Sequence, residues 1–261
     1  MQFTKWHHWR VAAGAAGVWV WTMVAGHAQW APDSSEKMAA DSPLVTFTRK
    51  TVSGGSRRVE LRAVFFNVKQ CALKVVDDAP GTASLESAMR AHGCIAGVNG
   101  NYFHPDRTSL GLVISDGHEI HALEHAKLLS GLLVVKEGGF ALVRVEEFKP
   151  GAGIKQALQA GPFLVDKGAA VAGLEATRRA ERTVVATDGN GNGALIICDE
   201  VTLSEMAALL STRAIFPELK IERALNLDGG SSTGLWVDAK PSPFYQREIS
   251  EVRNYLGIIP R

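Results

Sequence analysis

The run Ala224-Leu225-Asn226-Leu227-Asp228-Gly229-Gly230-Ser231-Ser232 is the stretch of this chain best suited to chemistry. It reads as a short apolar strand that delivers a carboxylate into a glycine-rich turn. Glycine lets a backbone approach a ligand closely and take a positive φ. Successive N–H groups in such a turn form a nest for an anion. The hydroxyls of Ser231, Ser232 and Thr233 add donors. A carboxylate beside an oxyanion cradle suits cleavage of a bond next to a phosphate or a sugar.

A second segment of the same kind lies upstream. Ile95-Ala96-Gly97-Val98 is a short apolar run, and Asn99-Gly100-Asn101-Tyr102-Phe103 follows it. Two strand-end turns in one domain can face one cleft, and binding residues concentrate on such loops. Asp228 can act there as general base, as nucleophile or as a metal ligand, and the sequence leaves the three open. The amides of Asn99 and Asn226 can bind hydroxyls or polarise an oxygen. We expect function at Asn99 and a local structural role at Asn226. Tyr102 and Phe103 offer faces for a sugar ring. His104 is the histidine best placed to be an acid.

Taken in order, these stretches resemble the phosphodiester glycosidase family. The matching pieces are Val98 to Phe103, Gly111 to Gly117, Gln159 to Val165, Arg182 to Ala186, Leu225 to Ser232 and Arg253 to Leu256. Asn101 stands where the family often has a second glycine, and Ser231 where it often has a third. The resemblance implies a hydrolase that cleaves the glycosidic bond of a sugar 1-phosphodiester. It assigns catalysis to Asp228, Arg182 and Asn99. It assigns substrate binding to Gly229, Gly230, Ser231, Ser232, Asn101, Tyr102, Phe103 and His104, and to Gln159, Thr183 and Asn254. Arg182 suits a phosphate because its planar fork binds bidentately. A divalent cation bridging Asp228 and phosphate remains an option. Asp106, Asp116 and Glu181 are the candidates for a second carboxylate. The alternative reading is a non-catalytic binding protein for phosphosugars in the cell envelope. A serine hydrolase is disfavoured, because no Gly-x-Ser-x-Gly occurs.

The elements that must position these residues are mostly strands. Val59–Val68 is rich in β-branched and aromatic residues. Leu132–Val135 and Phe140–Val145 flank Glu137-Gly138-Gly139 as one hairpin. Thr183–Ala186 and Ala194–Cys198 flank Asp188–Gly193 as another. That turn mimics a calcium-binding EF-hand loop in sequence, but its β-type flanks favour a hairpin. Ser84–His92 reads as a helix stopped by Gly93, and Thr202-Leu203-Ser204-Glu205 as a capping box that opens a second. His121 and His125 read as part of a solvated loop. The whole predicts one α+β domain, a strand-rich mixed sheet with a few flanking helices.

The chain has 261 residues, 46% hydrophobic and 21% charged, which is a globular balance. A net charge of +1 gives no reason to expect nucleic acid as a partner. Lys5, His7, His8 and Arg10 precede the apolar run Val11–Ala25 and the small residues near Ala28. This layout predicts a signal peptide over 1–28, or a short anchor, and an exported domain in the periplasm or outside the cell. No stable membrane insertion of the mature domain is expected. Residues 29–43 read as a linker and 44–261 as the domain. Cys71, Cys94 and Cys198 allow one disulfide in an oxidising compartment, with Cys71 and Cys94 nearest in sequence.

Overall fold

Strands arise where apolar and polar residues alternate, and the longest of them do so here. The computed structural model describes residues 30–261. The N-terminal signal reading lies outside the described residues. The chain runs β1 (Ala31–Lys37), β2 (Val45–Gly54), β3 (Arg57–Asn67), β4 (Cys71–Asp77), α1 (Leu85–Ala91) and β5 (Ala96–Asn99). It continues through β6 (Val113–Ser115), β7 (His118–His121), β8 (Gly131–Lys136), β9 (Gly139–Arg144), β10 (Ile154–Ala160), β11 (Phe163–Asp166) and β12 (Ala169–Ala170). It closes with β13 (Ala180–Thr187), β14 (Asn192–Val201), α2 (Leu203–Ser211), β15 (Arg223–Asn226), β16 (Leu235–Val237), β17 (Phe244–Gln246) and β18 (Asn254–Pro260).

The α+β class is as expected. In place of one mixed sheet there are three, and every pairing between described strands is antiparallel. The large sheet has the order β1-β2-β3-β14-β13-β15-β11-β12. The second is β7-β6-β10-β8-β9, and the third β17-β16-β5-β18-β4. One face of the large sheet packs on the other two through Phe47, Val64, Val98, Leu158, Val185, Leu225 and Leu256. Its opposite face receives α2 through Met206, Leu209 and Leu210. Each such side chain contributes about 1.5–3 kcal/mol on burial. Helix α1 buries Leu85, Ala88 and Met89 on the third sheet.

Both expected hairpins form, as β8–β9 and β13–β14. The Asp188 carboxylate accepts the N–H groups of Asn190 and Asn192, at 2.7 and 3.0 Å, and so closes the second turn itself. Ser84 caps α1, and Thr202 and Glu205 form the capping box of α2. Two expectations change. Within the stretch read as a linker, β1 pairs with β2, while Trp30 is buried and the Asp41 N–H donates to the Asp238 carbonyl at 2.8 Å. The three cysteines are free and buried. Strand β18 lies between β4 and β5, so Cys71 on β4 and Cys94 before β5 are separated by two strand spacings, about 9–10 Å. That exceeds the reach of a disulfide.

Candidate active site

The seam between the large sheet and the third sheet brings together most of the residues expected to do chemistry. Strand β15 ends at Asn226, and Leu227 continues it by donating to the Thr183 carbonyl at 2.8 Å. Asp228 then crosses the seam. Its N–H donates to the Gly100 carbonyl at 3.1 Å, just past the end of β5. Its carbonyl accepts from the Asn99 Nδ2 at 2.8 Å. Asn99 is fully buried, and its Oδ1 accepts from the Thr183 hydroxyl at 2.8 Å and the Gly234 N–H at 3.2 Å. Both ends of this amide thus serve the backbone that presents Asp228. The arrangement makes Asn99 and Thr183 positioning residues.

The Asp228 side chain is half-buried. Burial pushes its carboxyl above the ordinary value, and hydrogen bonds from the Ser232 hydroxyl and the Gly229 N–H oppose that shift. The Gly229 bond measures 2.8 Å. The turn Gly230–Ser232 follows, with Gly230 at φ 63°. The space beside Gly230 is open, and among the described residues no acceptor takes the N–H of Gly230 or Ser231. Of the turn expected from sequence to bind an anion, the Gly229 N–H is taken by the Asp228 carboxylate and the Ser232 N–H by the Gly229 carbonyl, which leaves those of Gly230 and Ser231 free. Ser231 points elsewhere: its carbonyl accepts from Ile249 and Ser250, and its hydroxyl from the Ser250 hydroxyl at 2.7 Å.

Arg182 lies on β13, beside β15. It is 9% exposed. Its Nε donates to the Val201 carbonyl at 2.9 Å and its Nη2 to the Arg178 carbonyl at 2.8 Å. Those bonds aim the fork and leave Nη1 without an acceptor among the described residues. No carboxylate lies within ion-pair distance of Arg182 among the described residues. Burial lowers its pKa first, and the neighbouring Arg178 lowers it further. Arg178 is exposed, and its charge acts on that of Arg182.

Tyr102 stands within electrostatic reach of both groups. Burial first, then the Asp228 charge, pushes its phenol up, while Arg182 pulls it down. Its hydroxyl donates to the Gly161 carbonyl at 2.7 Å and accepts from the Asn226 Nδ2 at 2.8 Å. Asn226 is structural as expected, though its buried Oδ1 has no partner. Asn101 and Asn254 pair with each other: Asn254 Nδ2 donates to Asn101 Oδ1 at 2.7 Å, and the Asn101 N–H donates to Asn254 Oδ1 at 3.0 Å. The close approach of Asn254 requires glycine at 100, because a Cβ there would lie 1.8 Å from its Oδ1.

Other candidates sit apart from the carboxylate. Gln159 is fully buried and donates to the carbonyls of Glu124 and Leu129 at 2.6 and 3.2 Å, so its amide clasps the loop before β8. Phe103 packs on the core around α1, and His104 is exposed in a turn. Asp106 accepts the Thr108 N–H, Asp116 pairs with Lys74 at 2.7 Å, and Glu181 accepts from Gln246 at 3.2 Å. Among the described residues no group of three or more His, Cys, Asp or Glu is arranged to hold a metal. A divalent ion needs about six oxygen ligands. Asp228 supplies one carboxylate, already engaged by Gly229 and Ser232, so a cation there would take most of its ligands from water and substrate phosphate.

Several solved structures share this fold. The catalytic domain of zebrafish N-acetylglucosamine-1-phosphodiester alpha-N-acetylglucosaminidase is similar with a TM-score of 0.63 and 19% identity, over 87% of this chain and 89% of that one. A protein from Synechocystis is similar with a TM-score of 0.60 and 18% identity, over 88% of this chain and 64% of that one. No curated protein sequence matches the chain. The sequence profile of the phosphodiester glycosidase family matches residues 92–259, a span that holds Asn99, Arg182, Asp228 and Asn254. The chain belongs to the phosphodiester glycosidase family.

Proposed function

We propose that this protein hydrolyses the glycosidic C–O bond of a sugar 1-phosphodiester and does so outside the cytoplasm. The observation that carries the reading is the half-buried Asp228 carboxylate together with an Arg182 guanidinium held only by backbone carbonyls, both within electrostatic reach of the Tyr102 phenol. In this reading the buried arginine and the free N–H groups of Gly230 and Ser231 are the groups that hold the anion. A phosphodiester held there places the sugar's anomeric carbon toward Asp228.

Water attacks that carbon, and Asp228 accepts the proton. The C1–O bond breaks, and its electron pair leaves with the phosphate as a monoester. Phosphate is a weak base, so its departure needs less help from an acid than an ordinary glycosidic oxygen does. Catalysis then rests on holding the charge that develops on the leaving oxygen. The raised pKa of Asp228 makes it a better base than an exposed aspartate. Export is supported by the basic, then apolar, N-terminal pattern. No helix among the described residues is long and apolar enough to cross a membrane.

The test is sugar release from a panel of sugar 1-phosphodiesters, with wild type and Asp228→Asn, with and without chelator. The reading expects release by wild type and its loss in the variant. Folded wild type that binds these compounds and releases nothing overturns it in favour of a phosphosugar-binding protein.

A further inference from the structure

A polar pocket of about 300 Å³ lies beside the Gly230–Ser232 turn. Its walls come from the segment before α1, from the start of α1 itself, and from the loop 247–251. That loop is fixed to the turn. Ile249 and Ser250 donate their N–H groups to the Ser231 carbonyl at 2.8 and 2.9 Å, and the Ser250 hydroxyl donates to the Ser231 hydroxyl. One wall of the pocket is therefore tied to the turn that follows Asp228.

Its charges are not balanced. Glu248 is buried and committed: it accepts the Leu85 N–H at 2.8 Å and the Tyr245 hydroxyl at 3.0 Å. Glu251 lies 3.5 Å from Arg107. Arg247 is exposed and, among the described residues, has neither an ion-pair nor a hydrogen-bond partner. Thr82 also keeps a free hydroxyl at the wall. The one uncompensated charge is thus a guanidinium, which suits phosphate or carboxylate oxygens. Ile249 is 85% exposed at the rim, where the C–H face of a polyol can rest on it.

We propose that this pocket is a second subsite, and that it takes a phosphorylated polyol carried on the far side of the scissile phosphodiester. Arg247 binds the distal phosphate, and Thr82 and Ser250 meet hydroxyls between the two phosphates. The inference rests on the hydrolase reading and names the half of the substrate that reading leaves blank.

Two arms test it. In the first, sugar 1-phosphates esterified with methanol and with glycerol 3-phosphate are compared as substrates. The subsite predicts a preference in kcat/KM for the glycerol 3-phosphate ester, reduced about tenfold in Arg247→Ala by loss of a charge-assisted contact. An unchanged preference overturns the proposal. In the second arm, glycerol 3-phosphate itself is titrated into wild type, Arg247→Ala and Arg182→Ala by calorimetry. Affinity lost in Arg247→Ala and kept in Arg182→Ala supports the subsite even if no sugar is ever released. Affinity lost only in Arg182→Ala, or no binding to wild type, overturns it.

Discussion

Arg182 on β13 and Asp228, two residues past the end of β15, form no ion pair. The register that pairs Val184 with Asn226 carries on to bring Arg182 level with Asp228, and a Cβ at Gly229 would lie 3.8 Å from the Arg182 Cα. Backbone carbonyls at Val201 and Arg178 hold the guanidinium instead. Both groups stay available to a ligand. Arg182→Lys keeps the charge and loses the fork. It should lower kcat/KM about 10- to 100-fold, the worth of a charged hydrogen bond of roughly 1.5–3 kcal/mol. Steady-state kinetics on a sugar 1-phosphodiester checks this, with an equal rate for the lysine variant as the contrary result.

Asp228→Asn should reduce sugar release by about 10²–10⁴-fold, the usual contribution of a positioned base. Its stability should move the other way. A carboxyl whose folded pKa lies above the unfolded value destabilises the fold while ionised. That penalty is full above the folded pKa, shrinks as pH falls through it, and is gone below the ordinary value of 3.8. The variant should therefore melt higher than wild type at pH 7, with the gap closing toward pH 4. A gap that is independent of pH would sink this assignment.

Asn99→Ala should unfold the site before it touches any substrate. The change strands the Gly234 N–H and the Asp228 carbonyl and leaves the Thr183 hydroxyl only its 3.3 Å bond to the Thr233 hydroxyl. Each orphaned group costs about 1–3 kcal/mol. Urea melts should show a loss of about 2–6 kcal/mol together with loss of activity. Lost activity at wild-type stability would mark Asn99 as a group that acts on substrate instead.

Gly229→Ala tests sterics alone. Gly229 has φ −138°, an extended conformation open to any residue. A Cβ there would lie 2.6 Å from the Glu181 carbonyl. Relief of that clash must push β13 from the Asp228 turn, at a cost of about 1–3 kcal/mol for overpacking. The expected result is a lower Tm with a fall in kcat, whereas Gly230→Ala should act through its positive φ and leave Glu181 unmoved.

The cysteines give a chemical test of the fold. Burial raises the pKa of all three thiols, that of Cys94 to about 12. An aromatic disulfide reagent should titrate three thiols in denaturant and almost none in buffer, and reduction should leave the intact mass unchanged. Two missing thiols in denaturant would reveal a disulfide that β18 ought to prevent.

Local signals carried much of this structure. The hairpins and the capping box each depend on a few consecutive residues, and each appears where its residues stand. The strand-end position of Asp228 was legible for the same reason. Its surroundings were not. The Asn99–Thr183–Gly234 clasp and the Asn101–Asn254 pair join residues far apart in sequence, and nothing local distinguishes a clasping amide from a ligand-binding one. Gln159 illustrates the difficulty, since its amide binds two backbone carbonyls. Strand β1 escaped notice because its side chains are all exposed and only its backbone pairs. Composition reports burial, and β1 has none to report.

The hydrogen bond from Asp228 to Gly100 stitches one sheet to another. Neither sheet owns half a catalyst. The carboxylate and the arginine come from one layer, while the amides that steady the carboxylate come from the next. Activity can thus appear only once long-range strand pairing is complete and the layers have closed on each other. Under the proposed function, turnover becomes a readout of docking between layers. Mild loosening at that junction should silence turnover while each layer still keeps its own ladder of strands.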